Sequence, residues 1–265
     1  PPTSLSMASP LAALSLLSAL SPAPFSRRGV LCGAAVSSLL PPAFAIEPLA
    51  LDELPPKAQS AYKQYWPALQ LAADSYVFDL YDLLDNPGRW DSIGALTEST
   101  DIGSAASVSA LEREYLTPMR ILTLSFPPDA GGDEMQLALD RFQASALRLS
   151  LLARRGQTTG NVAQPSAAEV AAVKKTWDEG RQSINAFFDA LNTGTSTQRL
   201  VGIPAKVEGY PRSKKLYTQL RKDAALCRNR GGEALAGFWG NLMVYGTVPG
   251  VNPCGNVNLA NYFDQ

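Results

Sequence analysis

The chain has 265 residues, with 23 Lys and Arg, 24 Asp and Glu, and no histidine. Without imidazole, Ser-His-Asp hydrolysis, histidine metal sites and haem ligation through histidine are excluded. The sequence also contains no C-x-x-C pair, no phosphate-binding loop and no dinucleotide-binding fingerprint after a strand. We therefore expect a non-catalytic protein that has no cofactor and no metal site.

The first 45 residues have the composition of a targeting segment. They contain no Asp or Glu, and Arg27 and Arg28 are their only charged residues. The arginine pair precedes a short apolar run, Cys32 to Leu40, and an Ala43-Phe44-Ala45 exit, which is the form of a Tat export signal cleaved after Ala45. A run of about 10 apolar residues is too short to remain as a membrane anchor.

A second apolar run, residues 11 to 20, precedes this signal. Two tandem signals indicate transport across two successive membranes, as for a plastid protein that continues into the thylakoid lumen. A bacterial Tat substrate with an extended leader is the alternative. We expect a soluble lumenal protein that is peripheral to the thylakoid membrane.

Charge is distributed unevenly along the remaining chain. Residues 46 to 140 hold 16 acidic and 5 basic side chains, whereas residues 199 to 230 hold 9 basic and 2 acidic ones. We expect a helical domain over residues 46–195 and a basic extension with an irregular tail over residues 196–265. The basic block favours an acidic protein surface or an anionic lipid headgroup as partner, and neither nucleic acid nor a small-molecule substrate is expected.

The first predicted helix carries apolar residues at steps of three and four from Tyr62 to Leu83. It should end at Asn86-Pro87-Gly88, and Pro67 should kink or restart it. A short helical turn is expected around Trp90. A second helix, over Leu111 to Leu122, is expected to be interrupted by Pro118 and stopped by two prolines at positions 127 and 128.

Capping boxes mark the start of two predicted helices. Ser109 and Glu112 form the first, and Ser166 and Glu169 form the second, which opens a helix extending to Asn192-Thr193-Gly194. Between them, a third helix should start after two glycines at 131 and 132 and end at residues 154 to 156. No segment alternates as a half-buried strand does, so the prediction is an all-α, up-down-up-down four-helix bundle.

The C-terminal extension is predicted to hold a basic fifth helix from Tyr210 and a sixth, short helix from Glu233 to Val244. Its aromatic tail is expected to pack rather than to be disordered. On a helix, the cations of the fifth helix would form a strip that docks on an acidic partner, and a solvated face without a role is the alternative. The candidate docking residues are Arg212, Lys214, Lys215, Arg221, Lys222, Arg228 and Arg230.

Two cysteines, Cys227 and Cys254, remain after the targeting segment. An exported compartment permits a disulfide between them, which in the chain-entropy model would stabilise the protein by roughly 3 kcal/mol. Two unpaired, partly buried thiols are the alternative.

Carboxylates and aromatic residues offer two further possibilities. Asp79, Asp82 and Asp85 could bind calcium, but such sites usually take ligands from flexible loops, and we expect a solvated acidic face. A carboxylate enzyme would need a cleft lined by acids from separate elements. The aromatic stripes of the helices are expected to form the core, since no pigment or haem ligand accompanies them.

The pattern of residues 57 to 192 resembles the PsbQ family of extrinsic photosystem II subunits, in the longer PsbQ-prime form of red algae and their secondary derivatives. The features that carry the resemblance are the first helix with Gly88-Arg89-Trp90-Asp91-Ser92-Ile93, the Leu111 to Leu122 helix, and the long helices from Met135 and Ser166. The resemblance implies a subunit that docks on the lumenal face of photosystem II, beside other extrinsic subunits. It would stabilise the oxygen-evolving complex and its calcium and chloride retention.

Residues 210 to 265 depart from the plant pattern. A lumenal subunit of photosystem I or its antenna, an assembly factor and a lumenal carboxylate enzyme are the alternatives.

Overall fold

The computed structural model describes residues 48–98, 108–155, 165–231 and 262–263, with the backbone alone for residues 223–231. Within these ranges the protein is all-α, and none of the described residues forms a strand. None of the helices described there combines the length and the apolar character needed to cross a membrane.

The first helix is longer and less regular than its apolar spacing predicts. Helix α1, Pro56–Ser75, continues through a π-helical turn, Tyr76–Tyr81, into the short α2, Asp82–Leu84. It does not restart at Pro67, which lies inside α1. The predicted apolar stripe is confirmed as buried core from Tyr62 to Leu83, except for the half-buried Trp66. The π turn widens the helix at the point where its polar side chains meet the C-terminal segment.

Two short elements follow. A 3-10 turn, Pro87–Arg89, leads to α3, Trp90–Gly94, and a second 3-10 turn, Ala95–Thr97. The Trp90 ring is fully buried and its Nε1 donates to the Leu83 carbonyl at 3.1 Å. This bond holds α3 against the end of the first helix. The predicted helical turn around Trp90 is thus confirmed.

The second predicted helix consists of a π-helical segment, Glu112–Leu116, and α4, Thr117–Thr123. Pro118 lies where the π-helical segment passes directly into α4, so the predicted interruption is a change in helical winding and not a break in the helix. Only half of the predicted capping box forms. Ser109 Oγ accepts from the Glu112 N–H at 3.1 Å, but the Glu112 carboxylate contacts Arg120 instead of closing the box.

The longest helices are α5, Gly132–Arg155, and α6, Ala167–Gly194. They run antiparallel, because Ala130 before α5 contacts Gly194 at the end of α6 and Ser145 lies beside Gly180. The predicted capping box of Ser166 and Glu169 is confirmed in both directions. Its hydrogen bonds are local, which explains why the sequence predicts it correctly.

Helix α1 also runs antiparallel to α6. The Tyr62 hydroxyl lies 2.9 Å from Thr197 Oγ1, just after α6, and Asp85 pairs with Lys174 near its start. Between these ends, the Tyr76 and Trp177 rings stack with centroids 5.3 Å apart. The Tyr76 hydroxyl donates to the Trp177 carbonyl and Trp177 Nε1 donates to the Tyr76 carbonyl, so both buried polar atoms are satisfied.

After α6 the chain returns along the body before the last helix. Leu200 and Ile203 join the same core as the preceding helices. Asn192 Nδ2 donates to the Leu200 carbonyl at 2.9 Å, and Arg181 Nη1 donates to the Ile203 carbonyl at 2.9 Å. A 3-10 turn, Val207–Gly209, then leads to α7, Lys214–Gly231. The predicted sixth helix lies outside the described residues.

Candidate functional site

The surface where α7 meets the first helix is the candidate functional site, because it contains most of the predicted docking residues. The first helix supplies three carboxylates, Asp74, Asp79 and Asp82, here called the acidic row. Each member of the acidic row pairs with one cation from the chain around the start of α7. The three pairs are Arg212–Asp74, Arg221–Asp79 and Lys214–Asp82.

Asp74 is the centre of a buried polar cluster. Its side chain is 0% exposed and that of Arg212 is 4% exposed, with 3.1 Å between Arg212 Nε and Asp74 Oδ2. The Tyr210 hydroxyl donates to Asp74 Oδ1 at 2.6 Å, Gln70 Nε2 donates to the same oxygen at 3.2 Å, and the Tyr262 hydroxyl donates to Oδ2. Four side chains thus donate to one carboxylate, as a buried charge requires.

Burial and charge act in opposite directions on this cluster. Burial raises the pKa of the Asp74 carboxyl above its ordinary value, while Arg212 and the hydrogen-bond donors oppose that rise. Desolvation lowers the pKa of Arg212, but the neighbouring Asp74 and Tyr262 outweigh it and leave that pKa raised. The guanidinium therefore stays charged, and Asp74 has its counter-ion inside the protein.

Tyr262 and Phe263 cover Arg212 from the C-terminal end of the chain. The Arg212 guanidinium carbon lies 4.6 Å from the centre of the Tyr262 ring, and Arg212 Nη2 donates to the Tyr262 carbonyl at 3.1 Å. Phe263 contacts Trp66 of α1 edge to face, with centroids 5.0 Å apart. The prediction that the tail packs is confirmed at these two residues.

Asp79 receives a second set of donors. Ser75 Oγ donates to Asp79 Oδ2 at 3.1 Å, and the Tyr217 hydroxyl and Arg221 Nη1 donate to the same oxygen. Burial raises the pKa of the nearby Glu114, while Arg113 and Arg221 oppose the rise. Arg221 of α7 is thus held in place by Asp79 of the first helix.

The predicted docking strip divides into inward and outward members. Arg212 is buried against Asp74 and is not available to a partner, which corrects its place in the strip. Lys214 and Arg221 are exposed but point to Asp82 and Asp79 of the same chain. Lys215 and Lys222, the outer lysines, are exposed and have no ionic partner among the described residues. They lie one heptad apart, so they share the outer side of α7.

Several predicted site residues lie at the end of α7 or outside the described residues. Arg228, Arg230 and Cys227 lie in the last turns of α7, where the structure describes only the backbone. Cys254 and the targeting residues Arg27, Arg28 and Ala45 lie outside the described residues. The disulfide therefore stays a prediction.

The predicted acidic face is solvated at Asp82 and Asp85, whose side chains are 59% and 71% exposed, but its carboxylates also make contacts within the chain. Asp79 and Asp82 bind α7, and Asp85 pairs with Lys174 of α6. Each of the three carboxylates is therefore in an ion pair within the chain. Among the residues that the structure describes, no three acidic or thiol side chains come together as metal ligands would.

A groove of about 530 Å³ lies between α5 and α6, away from the acidic row. Its acidic lining residue is Glu179, and it is not lined by Asp74 or Glu114, whose pKa values burial raises. Asp74 is instead surrounded by its donors.

Sequence reasoning missed Asp74, Gln70 and Tyr262 as members of the site. One signal was available, since Asp74 follows Leu71, Ala72 and Ala73 within the apolar stripe of the first helix. A carboxylate at such a position needs a buried partner. Which residue becomes that partner depends on contacts between parts of the chain that are distant in sequence.

No family model, curated protein or solved structure matches this chain. Function is therefore inferred from the residues and geometry of the chain itself.

Proposed function

We propose that this protein is a non-catalytic, extrinsic subunit of photosystem II in the thylakoid lumen of a plastid. In this role it docks on the lumenal face of the complex and stabilises the oxygen-evolving centre and its calcium and chloride retention. The tandem targeting signals, the absence of histidine and the resemblance of residues 57 to 192 to the PsbQ family support the proposal.

The proposal includes a four-helix, up-down-up-down arrangement of the main body. Its members are the first helix with its π turn, the helix that ends with α4, α5 and α6. The antiparallel contacts of α6 with α5 and with α1 support it. So does the contact of Lys57 Nζ near the start of α1 with the Leu124 carbonyl at the end of α4, at 2.9 Å.

The observation that carries the docking role is the division of charge on α7. Its inward cations, Lys214 and Arg221, are paired with the acidic row, while the outer lysines have no ionic partner among the described residues. Because α7 is anchored by its inward side, Lys215 and Lys222 are presented on a fixed surface. Fixed cations attract an acidic protein surface and orient the encounter.

The test is the fate of the native protein in fractionated thylakoids. We expect it to co-purify with oxygen-evolving photosystem II and to be released by a wash with roughly 1 M salt, which screens charge pairs at the surface. Release should lower oxygen evolution, and added calcium and chloride should restore part of it. Co-purification with photosystem I or with assembly intermediates would contradict the proposal and would favour one of those alternatives.

A charge series on the purified protein tests the docking surface. Replacing both outer lysines, Lys215→Ser and Lys222→Ser, should weaken rebinding to salt-washed photosystem II several-fold at low salt. The matched control replaces Lys63 and Lys175, two exposed lysines on α1 and α6, by Ser and should bind as the original protein does. Equal binding by both double variants would show that α7 is not part of the docking surface.

A further inference from the structure

Tyr262 and Phe263 contact the body of the protein as two consecutive residues of a bound peptide would. Tyr262 is 3% exposed, although it lies 50 positions after Arg212 and 188 positions after Asp74 in the sequence. Residues 232 to 261 separate it from the end of α7. Tyr262 and Phe263 are here called the aromatic tail pair.

The Tyr262 hydroxyl is recognised by one oxygen of Asp74. The other oxygen, Oδ1, accepts from the Tyr210 hydroxyl at 2.6 Å and from Gln70 Nε2 at 3.2 Å. Oδ2 accepts from Arg212 Nε at 3.1 Å and from the Tyr262 hydroxyl. A buried carboxylate needs its hydrogen-bond donors, so this position favours a phenol over a plain phenyl ring.

Arg212 recognises both the ring and the main chain of Tyr262. Its guanidinium carbon lies 4.6 Å from the centre of the Tyr262 ring, and its Nη2 donates to the Tyr262 carbonyl at 3.1 Å. A cation over an aromatic face is attracted to it. The contact with the carbonyl fixes the direction of the peptide as well as the place of its side chain.

The residue after the tyrosine is recognised by a second aromatic contact. The Phe263 ring meets the Trp66 ring edge to face, with centroids 5.0 Å apart, and lies 5.8 Å from the guanidinium carbon of Arg212. Trp66 belongs to α1, and the Arg199 guanidinium lies 5.4 Å from the centre of its ring. An aromatic residue at this position therefore gains contacts that an aliphatic one would not.

We propose that Asp74, Arg212 and Trp66 form a peptide-binding site for a tyrosine followed by an aromatic residue, with the aromatic tail pair as its tethered ligand. The site recognises the hydroxyl and carbonyl of the first residue and the ring of the second. It therefore binds the same segment from a separate peptide when the chain's own pair is removed. This binding function does not depend on the proposed role in photosystem II.

Tethering favours the chain's own tail pair over a separate peptide. A ligand joined to its site by a chain of suitable length has an effective concentration on the order of millimolar, so a free peptide at micromolar concentration competes poorly with it. The native chain thus keeps the site closed. Because Arg212 lies two residues before α7, occupation of the site also holds the start of that helix in place.

The experiment measures the binding of labelled peptides with the sequence of residues 257–265 to the full chain. The receptor is the full chain with Tyr262→Ser and Phe263→Ser, called the open variant. We expect the native-sequence peptide to bind the open variant, and to bind the native chain at least about tenfold more weakly in fluorescence anisotropy, because the native tail pair occupies the site.

Two altered peptides test what the site recognises. The Tyr262→Phe peptide should bind the open variant at least about tenfold more weakly, because it brings no hydroxyl to the buried carboxylate. The peptide with Tyr262→Phe and Phe263→Tyr has the composition of the native-sequence peptide in reversed order. It should show a similar loss, since its hydroxyl is one residue out of place.

Receptor variants and hydrogen exchange locate the contact. Trp66→Ala in the open variant should weaken the native-sequence peptide about tenfold, because the second ring loses its aromatic partner. Lys63→Ala, at an exposed position one turn earlier on α1, is the control and should change nothing. The bound peptide should protect backbone amides around Arg212 and at the start of α7.

A second receptor keeps the test decisive if the open variant unfolds. The full chain with Tyr262→Phe alone retains both rings, but its own tail pair is a weaker ligand. It should bind the native-sequence peptide more tightly than the native chain does, and the peptide should raise its unfolding temperature. Three results would overturn the proposal. They are no binding to a folded open variant, equal binding of the three peptides, and no gain of the Tyr262→Phe chain over the native chain.

Discussion

Asp74 of α1 and Arg212 of the C-terminal segment form a buried ion pair across 138 residues of sequence. Tyr262 joins the pair from the C-terminal end of the chain, because its hydroxyl donates to Asp74 and its carbonyl accepts from Arg212. Three distant parts of the chain thus meet at one carboxylate. We expect the attachment of the C-terminal segment to depend on this contact.

Arg212→Met should destabilise the protein by about 3–5 kcal/mol, because it leaves Asp74 buried without its counter-ion. The double variant Arg212→Met with Asp74→Asn should recover a large part of that loss, since a neutral amide needs no cation. Urea unfolding followed by circular dichroism measures both. If the double variant were less stable than Arg212→Met, the unpaired charge would not be the cause.

Tyr262→Phe should destabilise the protein by about 1–3 kcal/mol, because a buried carboxylate loses a hydroxyl donor while the ring contacts remain. Tyr81→Phe is the matched control. The Tyr81 hydroxyl makes no hydrogen bond within the described residues, and its loss should leave the free energy of unfolding nearly unchanged. Comparable losses in the two variants, measured by urea unfolding, would contradict a role for the Tyr262 hydroxyl.

Gly180→Ala should destabilise the protein although alanine favours helix. The added Cβ would lie 2.2 Å from the Tyr76 hydroxyl oxygen of the π turn and 3.0 Å from Ser145 Oγ of α5. Overpacking of this kind costs about 1–3 kcal/mol, against about 1 kcal/mol gained in helix propensity. Gly209→Ala, where no atom lies within 4 Å of the new Cβ, is the control for the thermal unfolding measurement.

The capping box of α6 should make stability depend on pH. Hydrogen bonds from the Ser166 backbone and side chain lower the pKa of Glu169 below its ordinary value of 4.5. A lowered pKa in the folded state gives a contribution that is present above pH 4.5 and is lost as the pH falls through the folded pKa. An NMR titration should find the pKa of Glu169 below 4.5, and Ser166→Ala should raise it. An unchanged titration in Ser166→Ala would show that the cap is not its cause.

Local signals predicted much of the fold. The Ser166 cap and the end of the first helix at Asn86-Pro87 depend on residues within one turn, so neighbouring residues in the sequence are enough to predict them. The π turns at Tyr76 and at Glu112 were not predicted, because apolar steps of three and four residues do not distinguish one wider turn from an ordinary α-helical turn. The topology of the bundle was inferred from connection lengths and remains part of the proposal.

The sequence by itself determined that the described residues are helical, which residues of each helix face the core, and that residues 199 to 230 form a basic block. The spacing of residues along a helix indicates which cations share a face. It does not indicate which face packs against the rest of the protein. Tertiary structure decided that Arg212 is buried against Asp74 while Lys215 lies in solvent. The physical reason is that a buried carboxylate pairs with the cation that folding brings next to it. Here that cation, Arg212, is 138 residues away from Asp74 in the sequence.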